Sequence, residues 1–184
     1  MQPNFNEALE ILNNSTILLS QDEICHKTKL MALTIDNDIT DEIPLFLIIM
    51  KGGIFFAAEL LKHIKSPVIV DYIHASRYCN ETSGSDHITW YYKPPIETLK
   101  GKTVYIIDDI LDHGHTLDEV KRFLIQSEVK SCKIAVLVDK NIGKIKPIAA
   151  DYTGISVPNR YIFGFGMDIY GLYRQLPDIY VYNQ

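Results

Sequence analysis

Asp108, Asp109 and Asp112 stand at the end of the run Val104-Tyr105-Ile106-Ile107, and His113, Gly114, His115 and Thr116 follow them before an amphipathic stretch from Leu117 to Ile125. That order reads as strand, loop, helix. Carboxylates at the C-terminal end of a buried strand occupy the place where open α/β sheets bind ligands. The loop after them presents backbone N–H groups at a helix N-terminus, with Gly114 allowing close approach and Thr116 adding a hydroxyl, which suits a phosphate. The three aspartates would repel that phosphate, so they should face something beside it: sugar hydroxyls, a Mg²⁺, or a proton to be removed. A phosphorylated sugar meets all of these demands.

Other groups with chemical potential are spread along the chain. Lys51-Gly52-Gly53 follows the apolar run Leu45 to Ile49 and precedes a helix carrying Phe55, Phe56, Leu60, Leu61 and Ile64. Two glycines and a lysine there make an anion-binding turn, or a plain βα turn. Ser131 to Val138 is a further apolar strand that ends in Asp139-Lys140; a lysine so placed is also what a solvated strand end looks like. The stretch from Tyr161 through Asp168 to Gly171 has glycines spaced G-x-G-x-x-x-x-G, with no following helix or ribose-binding acid, so it is not a dinucleotide fingerprint.

Positioning these groups requires a sheet with helices on it. The strands predicted are 44–50, 68–73, 104–109 and 131–138, with 147–155 as a crossing segment. Two helices are expected before them, one with the stripe Phe5, Leu9, Leu12, the other opening on the capping box Ser20 and Glu23 and carrying Ile24, Leu30, Met31, Leu33 and Ile35. Between the second strand and the acidic strand, His74 to Pro95 is polar and rich in Gly and Ser before Trp90-Tyr91-Tyr92; its length marks it as functional.

Composition narrows the partners. The 184 residues are 47% apolar and 22% charged, enough for one ordinary core, and the net charge of −5 without a block of Lys or Arg argues against nucleic acid or an anionic membrane as partner. The first residues lack the pattern of a secretion signal and no apolar run is long enough to span a bilayer, so a cytoplasmic location is expected. Three widely spaced cysteines, Cys25, Cys79 and Cys132, indicate neither a disulfide framework nor a zinc site. His113 and His115 have a spacing seen in metal sites, but their loop suits phosphate better.

The acidic stretch, with its strand, two acids, two apolar residues, Asp, any residue, Gly, any residue and Thr, resembles the phosphoribosyl-pyrophosphate signature of type I phosphoribosyltransferases. Five blocks between about residues 15 and 180 extend the resemblance to the hypoxanthine-guanine branch. It implies an α/β fold, a mostly parallel five-stranded sheet flanked by helices, in a single domain 1–184, with a small hood from the chain termini, about 1–20 and 150–184. It also implies Mg²⁺, small-molecule substrates (a 6-oxopurine and phosphoribosyl pyrophosphate) and a homodimer or homotetramer. By the same resemblance Asp112 is the general base, or acceptor at purine N7. Asp108 and Asp109 hold the ribose hydroxyls, and His113, Gly114, His115 and Thr116 lie at the 5′-phosphate. Lys51, Gly52, Gly53 and Arg174 hold pyrophosphate, with a cis peptide common before the residue at the Lys51 position. Lys140 donates to purine O6, Tyr161 stacks on the base, and Ile162 offers backbone groups to it. Ser76, Arg77 and Tyr78 open a catalytic lid, and Asp168, with Asp108 and Asp109, serves metal. The sequence departs from the usual pattern at Asp108, where Glu is commoner, at His113, where Thr or Glu is commoner, and at Arg77, where Ser is commoner. Two further readings remain: a sister transferase for xanthine, adenine or a pyrimidine, and a non-catalytic nucleotide-binding regulator of the same fold.

Overall fold

A computed structural model describes residues 2–78 and 87–183, with backbone alone for 76–78 and 87. The elements in chain order are α1 (Phe5–Asn13), β1 (Ser15–Leu19), α2 (Gln21–Asp38), β2 (Leu45–Met50), α3 (Gly53–Leu61), β3 (Ile69–Tyr78), β4 (His87–Tyr92), α4 (Ile96–Leu99), β5 (Thr103–Leu111), α5 (His115–Gln126), β6 (Ser131–Asn141), β7 (Tyr152–Pro158), β8 (Ile162–Phe163) and β9 (Ile179–Tyr182).

The main sheet has the order β4-β3-β2-β5-β6-β7. β3, β2, β5, β6 and β7 run parallel, as expected of five strands, and β4 adds a sixth, antiparallel to β3 at the edge. Both faces of the central strands are covered, which explains their unbroken apolar runs. Successive residues of β2 alternate between the layers: Phe46 packs with Ile24, Ile35, Phe56 and Leu60 on the α2 and α3 side, while Leu45, Leu47 and Ile49 pack with Leu117, Val120 and Leu124 of α5 on the other.

Several boundaries differ from the sequence expectation. β3 continues past Ile73 to Tyr78, and Trp90-Tyr91-Tyr92 belongs to β4. Aromatic pairing across and beside the hairpin holds this polar stretch in register: Tyr72 stacks on Tyr92 at 4.4 Å, Trp90 meets Phe123 at 5.7 Å, and Lys93 lies over both of those latter rings. The crossing segment at 147–155 becomes β7 from Tyr152 onward. α1 turns its Phe5 and Leu9 outward and buries Ile11, and α2 exposes Leu30 and Leu33.

A second, antiparallel sheet joins the two ends of the chain in the order β1-β9-β8. β1 was not anticipated, because five residues between two helices carry little periodic signal. Within the expected C-terminal hood range, β7 belongs to the main sheet, so the small sheet takes only β8 and β9 from it. The small sheet is tied to the rest by the Gln21 N–H, which donates to Asp178 at 2.8 Å, and by the Tyr173 hydroxyl, which donates to the Ala8 carbonyl at 2.5 Å.

Candidate active site

The C-terminal ends of β2, β5 and β6 open into two adjoining cavities of about 290 and 270 Å³. They share a wall made by Asp108, Asp109, Ile110 and Asp112. The first is lined by Lys51, Gly52, Lys140, Tyr161, Ile162, Asp168 and Arg174, the second by His113, Gly114, His115 and Thr116. Residues far apart in sequence are thus gathered on the two sides of one acidic strand end.

Asp108 and Asp109 are both buried, and the Asp109 N–H donates to Asp108 Oδ1 at 3.0 Å. Burial raises both carboxyls above the ordinary range, Asp108 well above it, and the adjacent Asp109 pushes Asp108 further. Arg174 acts in the opposite sense on both. Asp109 also fills the space over Gly52, where a Cβ would stand 2.2 Å from Asp109 Oδ2. The absence of a side chain at Gly52 is what lets the β2–α3 turn close on β5. The Met50–Lys51 peptide in this turn is cis, as the family resemblance implied.

Asp112 sits just beyond β5. Its Oδ2 lies 3.4 Å from Lys140 Nζ, and its Oδ1 is buried without a hydrogen-bond partner among the described residues, with His113 Nδ1 3.4 Å away. Lys140 is only 12% exposed, so it is not the solvated strand-end charge that its sequence position also allowed. Gly114 takes φ of +84° at the N-cap of α5, a conformation that favours glycine, and the rings of His113 and His115 stack 6.5 Å apart on the exposed side of the loop.

On the roof, Tyr161 is about half exposed over the first cavity, and burial of its hydroxyl end raises its pKa. Ile162 stands opposite Val181, and the Tyr182 N–H donates to the Tyr161 carbonyl at 3.0 Å. That is the non-hydrogen-bonded type of antiparallel pair, so the N–H and C=O of Ile162 point away from β9. The Arg174 guanidinium donates to Asp168 and, at 2.5 Å, to the Gly166 carbonyl.

Residues 14–170 match the model of the phosphoribosyl transferase domain. The chain belongs to the phosphoribosyltransferase family. Curated relatives in that family include the hypoxanthine-guanine phosphoribosyltransferases of Streptococcus pneumoniae, 35% identical over 91% of this chain and 93% of the relative, and of Streptococcus thermophilus, 36% identical over the same shares. Among solved structures, the Bacillus anthracis hypoxanthine-guanine enzyme superposes with a TM-score of 0.81 at 33% identity over 91% of this chain and 98% of that one. A Staphylococcus aureus hypoxanthine phosphoribosyltransferase gives 0.82 at 28% identity over 98% and 97%. The mainly parallel sheet with flanking helices is the type I phosphoribosyltransferase fold.

Two groups of expected site residues are not among those that line the cavities. Gly53 does not line either cavity: it begins α3 and is pressed on β5, where a Cβ would meet the Ile107 carbonyl at 2.8 Å. Ser76, Arg77 and Tyr78 lie at the end of β3, with side chains outside the described residues, as is the segment 79–86 that completes the expected lid. Met50, Ile110 and Met167 line the first cavity without having been singled out, because an apolar residue at a strand end or turn looks like core in sequence.

Proposed function

We propose that this phosphoribosyltransferase salvages purines, transferring the 5-phosphoribosyl group from phosphoribosyl pyrophosphate to hypoxanthine and guanine with release of pyrophosphate. The observation that carries the reading is the pairing of Lys140 and Asp112, a mostly buried ammonium 3.4 Å from a carboxylate whose other oxygen has no hydrogen-bond partner among the described residues. A 6-oxopurine presents O6, an acceptor, beside N7, which with its proton is a donor. Lysine and aspartate side by side are the complement of that edge.

In this reading the C1′–O bond to pyrophosphate breaks as the C1′–N9 bond forms, and Asp112 takes the proton that the purine gives up. The ribose would lie on the wall shared by the two cavities, with its hydroxyls on Asp108 and Asp109 and its 5′-phosphate on the 113–116 loop. Lys51, the N–H of Gly52 and Arg174 would face the leaving pyrophosphate, where negative charge grows. Tyr161 would cover the base, with Ile162 offering its outward backbone groups.

The donor set suits Mg²⁺. It is made of hard carboxylate oxygens, and a divalent cation would offset the burial that raises the pKa of both Asp108 and Asp109. Asp108, Asp109 and Asp168 are the residues proposed to hold it, together with substrate oxygens, since Mg²⁺ is usually bound through one or two carboxylates and phosphates. When bound, the ion would neutralise charge on the pyrophosphate.

A homodimer or homotetramer is proposed from the resemblance and from the exposed Val70, Tyr72 and Tyr91 on the β3–β4 hairpin. A cytoplasmic location is proposed with it; among the described residues no helix is long and apolar enough to cross a membrane.

The test is an assay of hypoxanthine, guanine, xanthine, adenine and uracil with phosphoribosyl pyrophosphate, with and without Mg²⁺, reading nucleotide and pyrophosphate. Turnover of the first two, dependent on Mg²⁺, is expected. Preference for adenine or uracil would assign a sister transferase, and binding without turnover a regulator. Xanthine belongs in the set because one similar solved enzyme, 30% identical, is named for hypoxanthine, guanine and xanthine.

A further inference from the structure

Lys146 lies in the connection between β6 and β7 and lines neither cavity of the site. Its side chain is nevertheless only 12% exposed, and its ammonium donates to the Leu111 carbonyl at 2.7 Å and to Asp139 Oδ1 at 2.5 Å. Leu111 and Asp139 are register partners at the end of the β5–β6 pairing. Each directly precedes a site residue, Leu111 before Asp112 and Asp139 before Lys140. The two residues after Lys146 extend the grip: a Cβ on Gly114 would stand 3.1 Å from Ile148 Cγ2 and 3.5 Å from Pro147 Cδ. One short segment therefore holds the backbone on both sides of Asp112 and the residue next to Lys140.

We propose that Lys146 is a positioning residue that fixes the separation of Asp112 and Lys140, and through it the choice of base. The inference rests on the roles given above to those two residues. Its physical basis is that charge-assisted hydrogen bonds from a mostly buried ammonium are short and directional, so one donor shared by two strand ends sets their spacing. O6 and N7 are rigidly spaced on a purine, and their two partners must match them. A displacement of about 1 Å in a site of this kind can lower the rate by about 100-fold.

The experiment compares wild type, Lys146→Met, Lys146→Arg and Lys140→Met with hypoxanthine, guanine and adenine, together with thermal melts. Lys146→Met keeps length and loses the donors. It should lower kcat with hypoxanthine about tenfold or more, raise the hypoxanthine KM and narrow the gap to adenine. The KM for phosphoribosyl pyrophosphate should stay within about twofold, because the phosphate and pyrophosphate groups bind elsewhere. Lys146→Arg, which restores donors, should recover most of the discrimination. Unchanged discrimination and kcat in Lys146→Met would overturn the proposal, as would a uniform loss, in KM for both substrates and in melting temperature, that Arg does not rescue. If Lys146→Met does not fold, Asp139→Asn removes the anionic partner while keeping its shape and should give the same narrowing in weaker form; full discrimination there would equally overturn it. Lys140→Met separates the two levels: if that variant alone keeps wild-type discrimination, the role given to Lys140 is wrong, whatever Lys146 does.

Discussion

In the proposed reaction Asp112 and Lys140 each act through one chemical property. Replacing Asp112 by Asn keeps the shape and removes the base, so kcat should fall by about 10²–10⁴ while phosphoribosyl pyrophosphate still binds; near-normal turnover would sink the assignment. Lys140→Met removes the donor to O6. Hypoxanthine and guanine should then be used less well and adenine should gain relative to them, since the wild-type ammonium opposite the adenine amino group leaves a buried donor unpaired at about 1–3 kcal/mol. A ratio of adenine to hypoxanthine kcat/KM equal to that of wild type would place base selection on the backbone of Ile162 instead. Asp108 bears on stability as well as on the proposed ribose and metal binding. Burial and Asp109 raise its pKa in the folded, metal-free protein above the unfolded value of about 3.9. The folded state therefore binds more protons between those two values, and the stabilisation present below the lower one is lost as pH rises through the higher. Asp108→Asn removes that titration, so in chelator the variant should melt above wild type at neutral pH, with the gap closing toward pH 4. An equal gap at both pH values would contradict the raised pKa. Sequence showed these three side chains as candidates, yet it could not tell a buried Lys140 from a solvated one.

The turn from β2 to α3 and the loop from β5 to α5 are the two elements that make the site, and each depends on a glycine for a different reason. Gly114 supplies a positive φ at the start of α5, whereas Gly52 supplies empty space for the carboxylate of Asp109. Gly52→Ala would put a methyl group within 2.2 Å of Asp109 Oδ2 and force that carboxylate aside. The expected result is a fall of at least about tenfold in kcat/KM for phosphoribosyl pyrophosphate with an unchanged circular dichroism spectrum; unimpaired kinetics would show that the Asp109 position is not critical. The strand-loop-helix order of both elements was readable because a buried parallel strand leaves a long apolar run and its helix a 3.6-residue period. The β3–β4 hairpin was less readable, because its stability comes from contacts such as Tyr72 on Tyr92 and Trp90 on Phe123 that local pattern does not display.

At the scale of the whole molecule, the site exists because a sheet made from the chain ends sits on the C-terminal edge of the central one. Gly166 marks the contact: its φ is +102°, and a Cβ there would lie 2.2 Å from the Gly52 carbonyl. Gly166→Ala should cost about 1–3 kcal/mol in strain alone and lever the roof off the β2–α3 turn, so a lower melting temperature should come with higher KM for both substrates. A melt and KM values matching wild type would mean that the roof is not set by this contact. Sequence by itself determined the parallel sheet, the two glycine-bearing strand-to-helix turns and the acidic strand end, since burial on both faces, backbone freedom and helix ends leave local marks in residue type and spacing. Only the tertiary structure decided which of those groups meet. The Asp112–Lys140 pair, the Arg174–Asp168 pair, the Lys146 clamp and the closure of Gly166 on Gly52 all join residues through space, and nothing in a local run of side chains records the distance between two strand ends.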